Sequence, residues 1–480
     1  MLKLTIKEAM GQLSTGDLTS EMLVKSYLDN IEKRDGDVQA YLYLNAEAAI
    51  EKAKAIDAKR AANEPLGALA GIPMAIKDNM CTVDMPTTCA SRILEGYYSP
   101  YNATVVEKLY GADAVILGKL NMDEFAMGST TENSYYQKTH NPYDLERVPG
   151  GSSGGSAAAV SAGEAMFTLG SDTGGSIRQP ASFCGVTGLK PTYGAISRFG
   201  LIAFASSLDQ IGPIARTAED IACVLPTLMG HDSKDSTSAV FDVEDYLAQL
   251  NQDVRGMKIA IPEAYFGDGL NDEVRKVVLE AAETFKAMGA KVEHVSMTNV
   301  AYALPAYYLI SSAEASSNLA RFDGVQYGYR HEEFETLEEL YMKSRSYGFG
   351  KEVKRRILLG TYALSSGYYD AYYKKALQAR TLIKRDFDKV FEQYDLVLTP
   401  VAPTTAYKIG EKSSDPLEMY MGDIYTVPVN IVGLPAISLN AGFDQQGLPV
   451  GMQLIGKTFS EATLLRAADA YEKAIKGGQK

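Results

Sequence analysis

Short apolar runs, each stopped by glycine, proline or a polar cluster, recur along this chain and alternate with segments of helical periodicity. IPMAI (72–76), AVILG (114–118) and AMFTLG (165–170) are of this kind, and ATVVEKLY between them carries helical spacing. A strand covered on both faces shows no polar alternation, so brief apolar runs of this sort read as buried strands, and strand alternating with helix defines an α/β fold. KIAIPEA, a helix from about Asp272 to Met288, and KVEHVSM continue the alternation. Leu337 to Gln393 is predicted largely helical, after which DLVLTP, AISLNAG and GMQLIG return as strands. Strands near both ends of the chain predict one large sheet assembled from distant segments.

The expected organisation is therefore one domain over residues 1–480, entered through a helical lead-in of about 65 residues. From Ile6 to about Ala62 the sequence reads as helices, with Thr19 or Ser20 as an N-cap for SEMLVKSYLDNIEKRD. The polar stretch HDSKDSTSAVFDVEDY (231–246) reads as a surface excursion.

Composition excludes several classes. With 46% hydrophobic and 22% charged residues the chain is neither disordered nor fibrous. No run of 18 apolar residues occurs, and the N-terminus lacks a charged segment followed by an apolar one, so a cytoplasmic location is expected. Cys81, Cys89, Cys184 and Cys223 form no CxxC pair and are expected to be reduced core thiols rather than metal ligands. Net charge is −13 with no block of Lys or Arg, which is unsuited to gripping a phosphate backbone directly.

Two glycine–serine loops carry the chemistry. GGSSGGSAAAV (150–160) runs from a glycine-rich loop straight into an alanine-rich helix, whose start offers unpaired N–H groups to negative charge. A flexible linker is disfavoured by the apolar segments on both sides. A phosphate cradle is disfavoured by the missing Walker lysine, and no GxGxxG follows a strand. Gly151, Ser153 and Gly155 fit GxSxG, but that elbow needs a histidine base. His140, His231, His294 and His331 are the only histidines, and none sits among other catalytic-looking residues.

The second loop, GSDTGGSIRQPA (170–181), follows a predicted strand and places Ser176 after two glycines. A tight turn there lets the backbone N–H groups of Thr173, Gly174, Gly175 and Ser176 converge as an oxyanion hole. A serine nucleophile without histidine needs another proton acceptor, and lysine is the known substitute. Lys77, at the end of the IPMAI run, is the candidate. At its ordinary pKa only about 0.04% of a lysine is neutral at pH 7, so burial has to lower it by about three pH units, or about 4 kcal/mol.

Lys77, the 150–160 loop and GSDTGGSIRQP together resemble the amidase signature family, in which the 24-residue separation of Ser152 and Ser176 also recurs. The resemblance implies an α/β/α architecture with a mixed central sheet under helices. It also implies a Ser–cis-Ser–Lys triad in which Ser176 attacks, Ser152 relays the proton and neutral Lys77 accepts it. NMDEFAMGSTTENS (121–134), SRFGLIAFASSLDQIGP (197–213), SSNLARFDGVQYGYR (316–330) and MYMGDIYTVPVNIVGLPAISLNAGF (419–443) extend it. These segments are similar to the family's glutamine-hydrolysing members, which feed ammonia to a tRNA-dependent amidotransferase.

That branch implies glutamine as substrate and two partners, one large, tRNA-binding and ATP-dependent (the B subunit of such an assembly) and one small (its C subunit). ATP and Mg are then expected on the larger partner, with no cofactor in this chain and tRNA reached only through the partner. Glutamine presents a carboxylate and an ammonium, so its pocket should hold one cation and one anion. By resemblance these are Arg356 and Asp423, assisted by Tyr307. Taken alone, Arg356 reads as a solvated helix charge and Asp423 as a turn residue. The competing readings are a free-standing amidase of small amides and a catalytically silent partner-binding subunit.

Overall fold

The computed structural model describes residues 1–250, 252–412 and 416–477. Its strands are β1 (Tyr41–Leu44), β2 (Pro73–Lys77), β3 (Val115–Leu120), β4 (Phe167–Asp172), β5 (Thr187–Lys190), β6 (Gln210–Ala215), β7 (Lys258–Pro262), β8 (Lys291–Val295), β9 (Leu396–Pro400), β10 (Ala436–Phe443) and β11 (Pro449–Gly456). All belong to one sheet in the order β1-β3-β2-β4-β6-β5-β10-β11-β9-β7-β8. The sheet is mixed: β2 runs parallel to both β3 and β4, β7 runs parallel to β8 and β9, and the remaining pairs are antiparallel.

The central strands are buried along their whole length, β2 as PMAIK and β4 as FTLGSD, which is why they read as continuous apolar runs. Helices Gly154–Ala162 and Arg178–Phe183 pack on the central strands, and Asp272–Ala287 and Glu461–Gly477 on the C-terminal ones. Helices Ala303–Asn318, Lys351–Leu364, Tyr373–Phe391 and Val427–Val432 pack on one another as a separate group.

Three strands depart from expectation. The lead-in is not all helix: after helix Ser20–Val38, capped by the Thr19 hydroxyl, the chain turns at Gln39 and forms β1 on the edge of β3. Asp35 captures the N–H groups of Ala40 (2.6 Å) and Tyr41 (3.3 Å), releasing a four-residue strand too short for periodicity to reveal. β5 is equally short, and β6 (QIGPIA) contains a glycine and a proline that read as breakers. Gly212 is needed there because a Cβ would lie 2.1 Å from the Leu189 carbonyl oxygen.

The 231–246 excursion is pinned to the body: Asp232 accepts the hydroxyls of Thr104 and Ser197, each at 2.6 Å. The sheet continues beyond it without a break. Cys81, Cys89 and Cys184 are buried free thiols, and Cys223 is half-buried. Among the described residues no helix is long and apolar enough to cross a membrane.

Candidate active site

β2 and β4 are parallel neighbours, so their C-terminal ends meet at one rim of the sheet, where helix Gly154–Ala162 also begins. Lys77 is the last residue of β2, and Ser171 and Asp172 end β4. Lys77 Nζ lies 2.7 Å from Ser152 Oγ, 2.9 Å from Ser153 Oγ, 2.9 Å from Ser171 Oγ and 3.3 Å from the Ser171 carbonyl oxygen. Every one of these partners is neutral.

Burial therefore dominates, and it brings Lys77 from its ordinary 10.5 down to about 7, against the upward pull of Asp123, Asp172 and Asp209. That displacement is worth about 5 kcal/mol between the protonation states. The lysine is poised to exchange a proton near neutral pH.

Ser152 follows a cis peptide bond from Gly151. Its carbonyl accepts the Asp123 N–H at 3.2 Å, and Gly151 N–H donates to Gln179 Oε1 at 2.9 Å. Gly151 admits no side chain, since a Cβ would sit 2.1 Å from Asp123 Oδ2. Asp123 accepts the N–H groups of Thr130 and Asn133, each at 3.2 Å, and burial raises it to about 6.

Ser176 is 8% exposed whereas Ser152 and Ser153 are fully buried, so of the three only Ser176 faces the outside. Its carbonyl accepts the Ser153 N–H at 3.1 Å, which ties the two loops together. The described residues place no hydrogen bond directly between the Ser152 and Ser176 hydroxyls. Ser153, the GxSxG serine, is occupied by Lys77 and by the Ser171 carbonyl at 3.1 Å.

The turn at 173–176 is held from beneath. Asp172 accepts Gly175 N–H at 2.8 Å and Ile177 N–H at 3.1 Å, and its carboxylate forks onto Arg178, with Nη2 at 3.1 Å and Nε at 3.1 Å. Arg178 also donates to Gln453 Oε1 (2.9 Å), Asn430 Oδ1 (2.6 Å) and the Thr426 carbonyl (3.1 Å). Burial pushes Asp172 up, yet the Arg178 charge and hydrogen bonds outweigh it and hold it at about 2.

The oxyanion set changes in one member: Gly175 N–H is committed to Asp172. The N–H groups of Thr173, Gly174 and Ser176 find no such partner among the described residues. The Thr173 hydroxyl donates to Asp209 at 2.6 Å, and Thr426 Oγ1 donates to the Gly174 carbonyl at 2.6 Å.

Of the three residues expected to read the substrate, Tyr307 stands beside this turn, Asp423 is linked to it through Thr426, and Arg356 packs on Tyr308, the neighbour of Tyr307. Tyr307 lies against Gly174, where a Cβ would come within 2.6 Å of its hydroxyl. Asp423 accepts from Tyr308 Oη (2.7 Å) and Ser129 Oγ (3.0 Å), and burial raises it to about 6. Arg356, only 3% exposed, donates from Nε to Glu352 at 2.7 Å, and its Nη1 is buried without a protein partner. His140, His231 and His331 instead contact the carbonyls of Leu145, Ser238 and Glu333.

Sequence reasoning missed Ser129, Ser171, Asp172, Arg178, Tyr308, Glu352 and Thr426. Asp172 and Arg178 had a signal, because an acid and a base bracket the glycine turn within one segment. The others depend on contacts between distant segments.

A buried lysine on three serine hydroxyls, with a fourth serine on a glycine turn, defines a serine amidase site on an α/β sheet. Residues 22–465 match the family described as Amidase, and the chain belongs to that family.

Within it, the A subunit of glutamyl-tRNA(Gln) amidotransferase from Moorella thermoacetica is 60% identical over 471 residues, 98% of this chain and 96% of the relative. That of Halalkalibacterium halodurans is 58% identical over 474 residues, 99% of this chain and 98% of the relative. The crystal structure of the corresponding Thermotoga maritima protein superposes with a TM-score of 0.82 at 45% identity, covering 98% of this chain and 95% of that one. A bacterial aryl acylamidase of the amidase signature family gives a TM-score of 0.87 at 26% identity, covering 99% of this chain and 97% of that one.

Proposed function

We infer that this chain is the glutamine-hydrolysing subunit of a tRNA-dependent amidotransferase and supplies ammonia for conversion of Glu-tRNA(Gln) to Gln-tRNA(Gln). The observation that carries the reading is Lys77, fully buried, bonded only to neutral groups and 2.7 Å from Ser152 Oγ. Relatives alike over nearly the full chain supply the substrate.

In this reading Ser176 Oγ attacks the side-chain amide carbon of glutamine while its proton passes through Ser152 to Lys77. The developing oxyanion faces the N–H groups of Thr173, Gly174 and Ser176, each such donor being worth about 3 to 4 kcal/mol. Lys77 returns the proton through Ser152 to the leaving nitrogen. Ammonia departs, and water then cleaves the γ-glutamyl ester with Lys77 again as base. Arg356 takes the α-carboxylate, Asp423 the α-ammonium, and Tyr307 closes the pocket beside the turn.

The partners in this proposal are a tRNA-binding, ATP- and Mg-dependent B subunit and a small C subunit, in the cytoplasm. The acidic balance of −13 accords with a chain that meets tRNA only through its partner.

The test is ammonia release from glutamine, asparagine and butyramide, with and without the copurifying proteins. A glutamine preference that grows with the partners and disappears in Ser176→Ala is expected. Efficient butyramide turnover by the chain alone would instead identify a free-standing amidase, and full activity in Ser176→Ala would overturn the mechanism.

A further inference from the structure

Arg356 and Asp423 recognise opposite charges, so discrimination depends on how rigidly their separation is held. An arginine at the end of several rotatable bonds does not hold a position by itself. We propose that Tyr308 is a specificity-determining positioning residue that locks Arg356 and Asp423 into one unit, whose fixed spacing selects the amino-acid end of the amide substrate. The inference rests on the glutaminase reading above.

One side chain reaches both charges. The Tyr308 hydroxyl donates to Asp423 Oδ2 at 2.7 Å, while its ring centroid lies 4.5 Å from the Arg356 guanidinium carbon. Tyr420 packs on both, 4.7 Å from that carbon and stacked on Tyr308 at 4.1 Å and 26°. Glu352 closes the ring of contacts, accepting Arg356 Nε at 2.7 Å and the Tyr420 hydroxyl at 2.8 Å on a single oxygen. Ser129 fixes the other oxygen of Asp423 at 3.0 Å.

What this cage leaves open is as informative as what it fills. The Nε edge of Arg356 is satisfied, whereas Nη1 is buried with no partner. A buried donor is rarely left unsatisfied, and a carboxylate is its natural complement.

Tyr308 also follows Tyr307, which touches the oxyanion turn at Gly174. Both stand on helix Ala303–Asn318, where successive residues point about 100° apart. One helix therefore sets the distance from the reacting carbonyl to the charged end, and with it the number of methylenes between them.

The test compares the wild type with Tyr308→Phe and Tyr308→Leu on glutamine, asparagine and butyramide, with glutamate as a competing ligand. Tyr308→Phe is expected to raise KM for glutamine and Ki for glutamate together by about tenfold, with kcat within about twofold and butyramide turnover unchanged. Tyr308→Leu, which also removes the ring from Arg356, is expected to do more and to narrow the gap between glutamine and asparagine.

A pH profile supplies the readout a structural role would not move. The groups facing Asp423 are Arg356, Tyr307, Tyr308, Tyr407 and, farther off, Asp172. Among them Tyr308 lowers Asp423 by its hydrogen bond, so the rise of KM below about pH 6 should begin at higher pH in Tyr308→Phe.

Parallel loss of glutamine and butyramide turnover, or an unchanged glutamine KM, would overturn the proposal. A wild type that prefers butyramide would instead remove the glutaminase reading itself, before any variant is made.

Discussion

Lowering the pH from about 8 to about 5 takes the base out of the reaction, and two buried groups fix the shape of the loss. Lys77, brought to about 7 by burial, is about nine-tenths neutral at pH 8, half neutral at pH 7 and about one-tenth neutral at pH 6. Asp423, raised to about 6 by burial, is ionised above that pH and about half protonated at it.

For glutamine, kcat/KM is therefore expected to be highest near pH 8, where its α-ammonium is still protonated, and to fall with a slope near 1 between about pH 7 and 6. Below that the slope steepens toward 2, and the combined loss at pH 6 is about twentyfold. A lysine at its ordinary 10.5 would instead leave the profile still rising with a slope near 1 at about pH 8. The assay is initial ammonia release at low glutamine and constant ionic strength. Butyramide has no ammonium to read, so its profile should keep the upper limb and lose the lower one.

The assignment to Lys77 is checked by Asp123→Asn. Asp123 is the largest of the charges holding Lys77 up, so its removal should move the upper limb to lower pH and leave the lower limb in place. A profile flat from pH 8 to 6, or an upper limb that stays put in Asp123→Asn, refutes Lys77 as the base.

Two further outcomes are expected. Because burial raises Asp423 from 3.8 to about 6, its protonated form favours folding fully below 3.8, and that contribution is lost as pH rises through 6; at pH 7 ionised Asp423 costs up to about 3 kcal/mol. Asp423→Asn should thus raise the melting temperature at pH 7 but not at pH 4, while weakening glutamine at least tenfold; a lower melting temperature at pH 7 would contradict this. Gly151→Ala should abolish turnover and lower the melting temperature, because its Cβ would meet Asp123 Oδ2 at 2.1 Å and Thr130 N at 2.7 Å. Gly11→Ala, in open space on the first helix, is the control and should keep activity.

The sequence was most readable where one segment contains its own reason. β2, β4 and β9 are buried on both faces and announce themselves as apolar runs, and the turn before Ser176 is written in its two glycines. β1 and β5 were invisible because four residues carry no periodicity and their stability comes from β3, β6 and β10. β6 was hidden by Gly212 and Pro213, which local propensity reads as breakers and the sheet uses for close approach.

The site divides in the same way. Lys77 and the two serine loops are local features, whereas the Tyr308–Asp423 bond joins residues 115 positions apart and the Arg178–Asn430 bond joins residues 252 apart. The commitment of Gly175 N–H to Asp172 was equally out of reach, since the turn residues alone do not say which N–H the carboxylate takes.

Three fully buried lysines show why titration by itself does not identify a base. Lys119 lies 3.3 Å from Asp78 and donates to the carbonyls of Met80 and Pro86, each at 2.9 Å, so its charge is matched and serves to fasten a loop. Lys190, like Lys77, is brought down to about 7 by burial, with the Arg178 charge adding to the effect. Its hydrogen-bond partner is the Pro191 carbonyl at 2.8 Å, an acceptor with no proton to exchange. Lys77 combines the same depressed basicity with hydroxyls on Ser152, Ser153 and Ser171, and only there does a neutral amine face groups able to donate a proton to it. Of those three hydroxyls, Ser153 already donates to the Ser171 carbonyl and Ser171 Oγ accepts from Asn79 at 2.9 Å. Ser152 Oγ bonds to Lys77 alone among the described residues, and its loop is tied to Ser176 through the Ser153 N–H, so of the three hydroxyls it is the one free to take a second partner, as a relay from Ser176 requires.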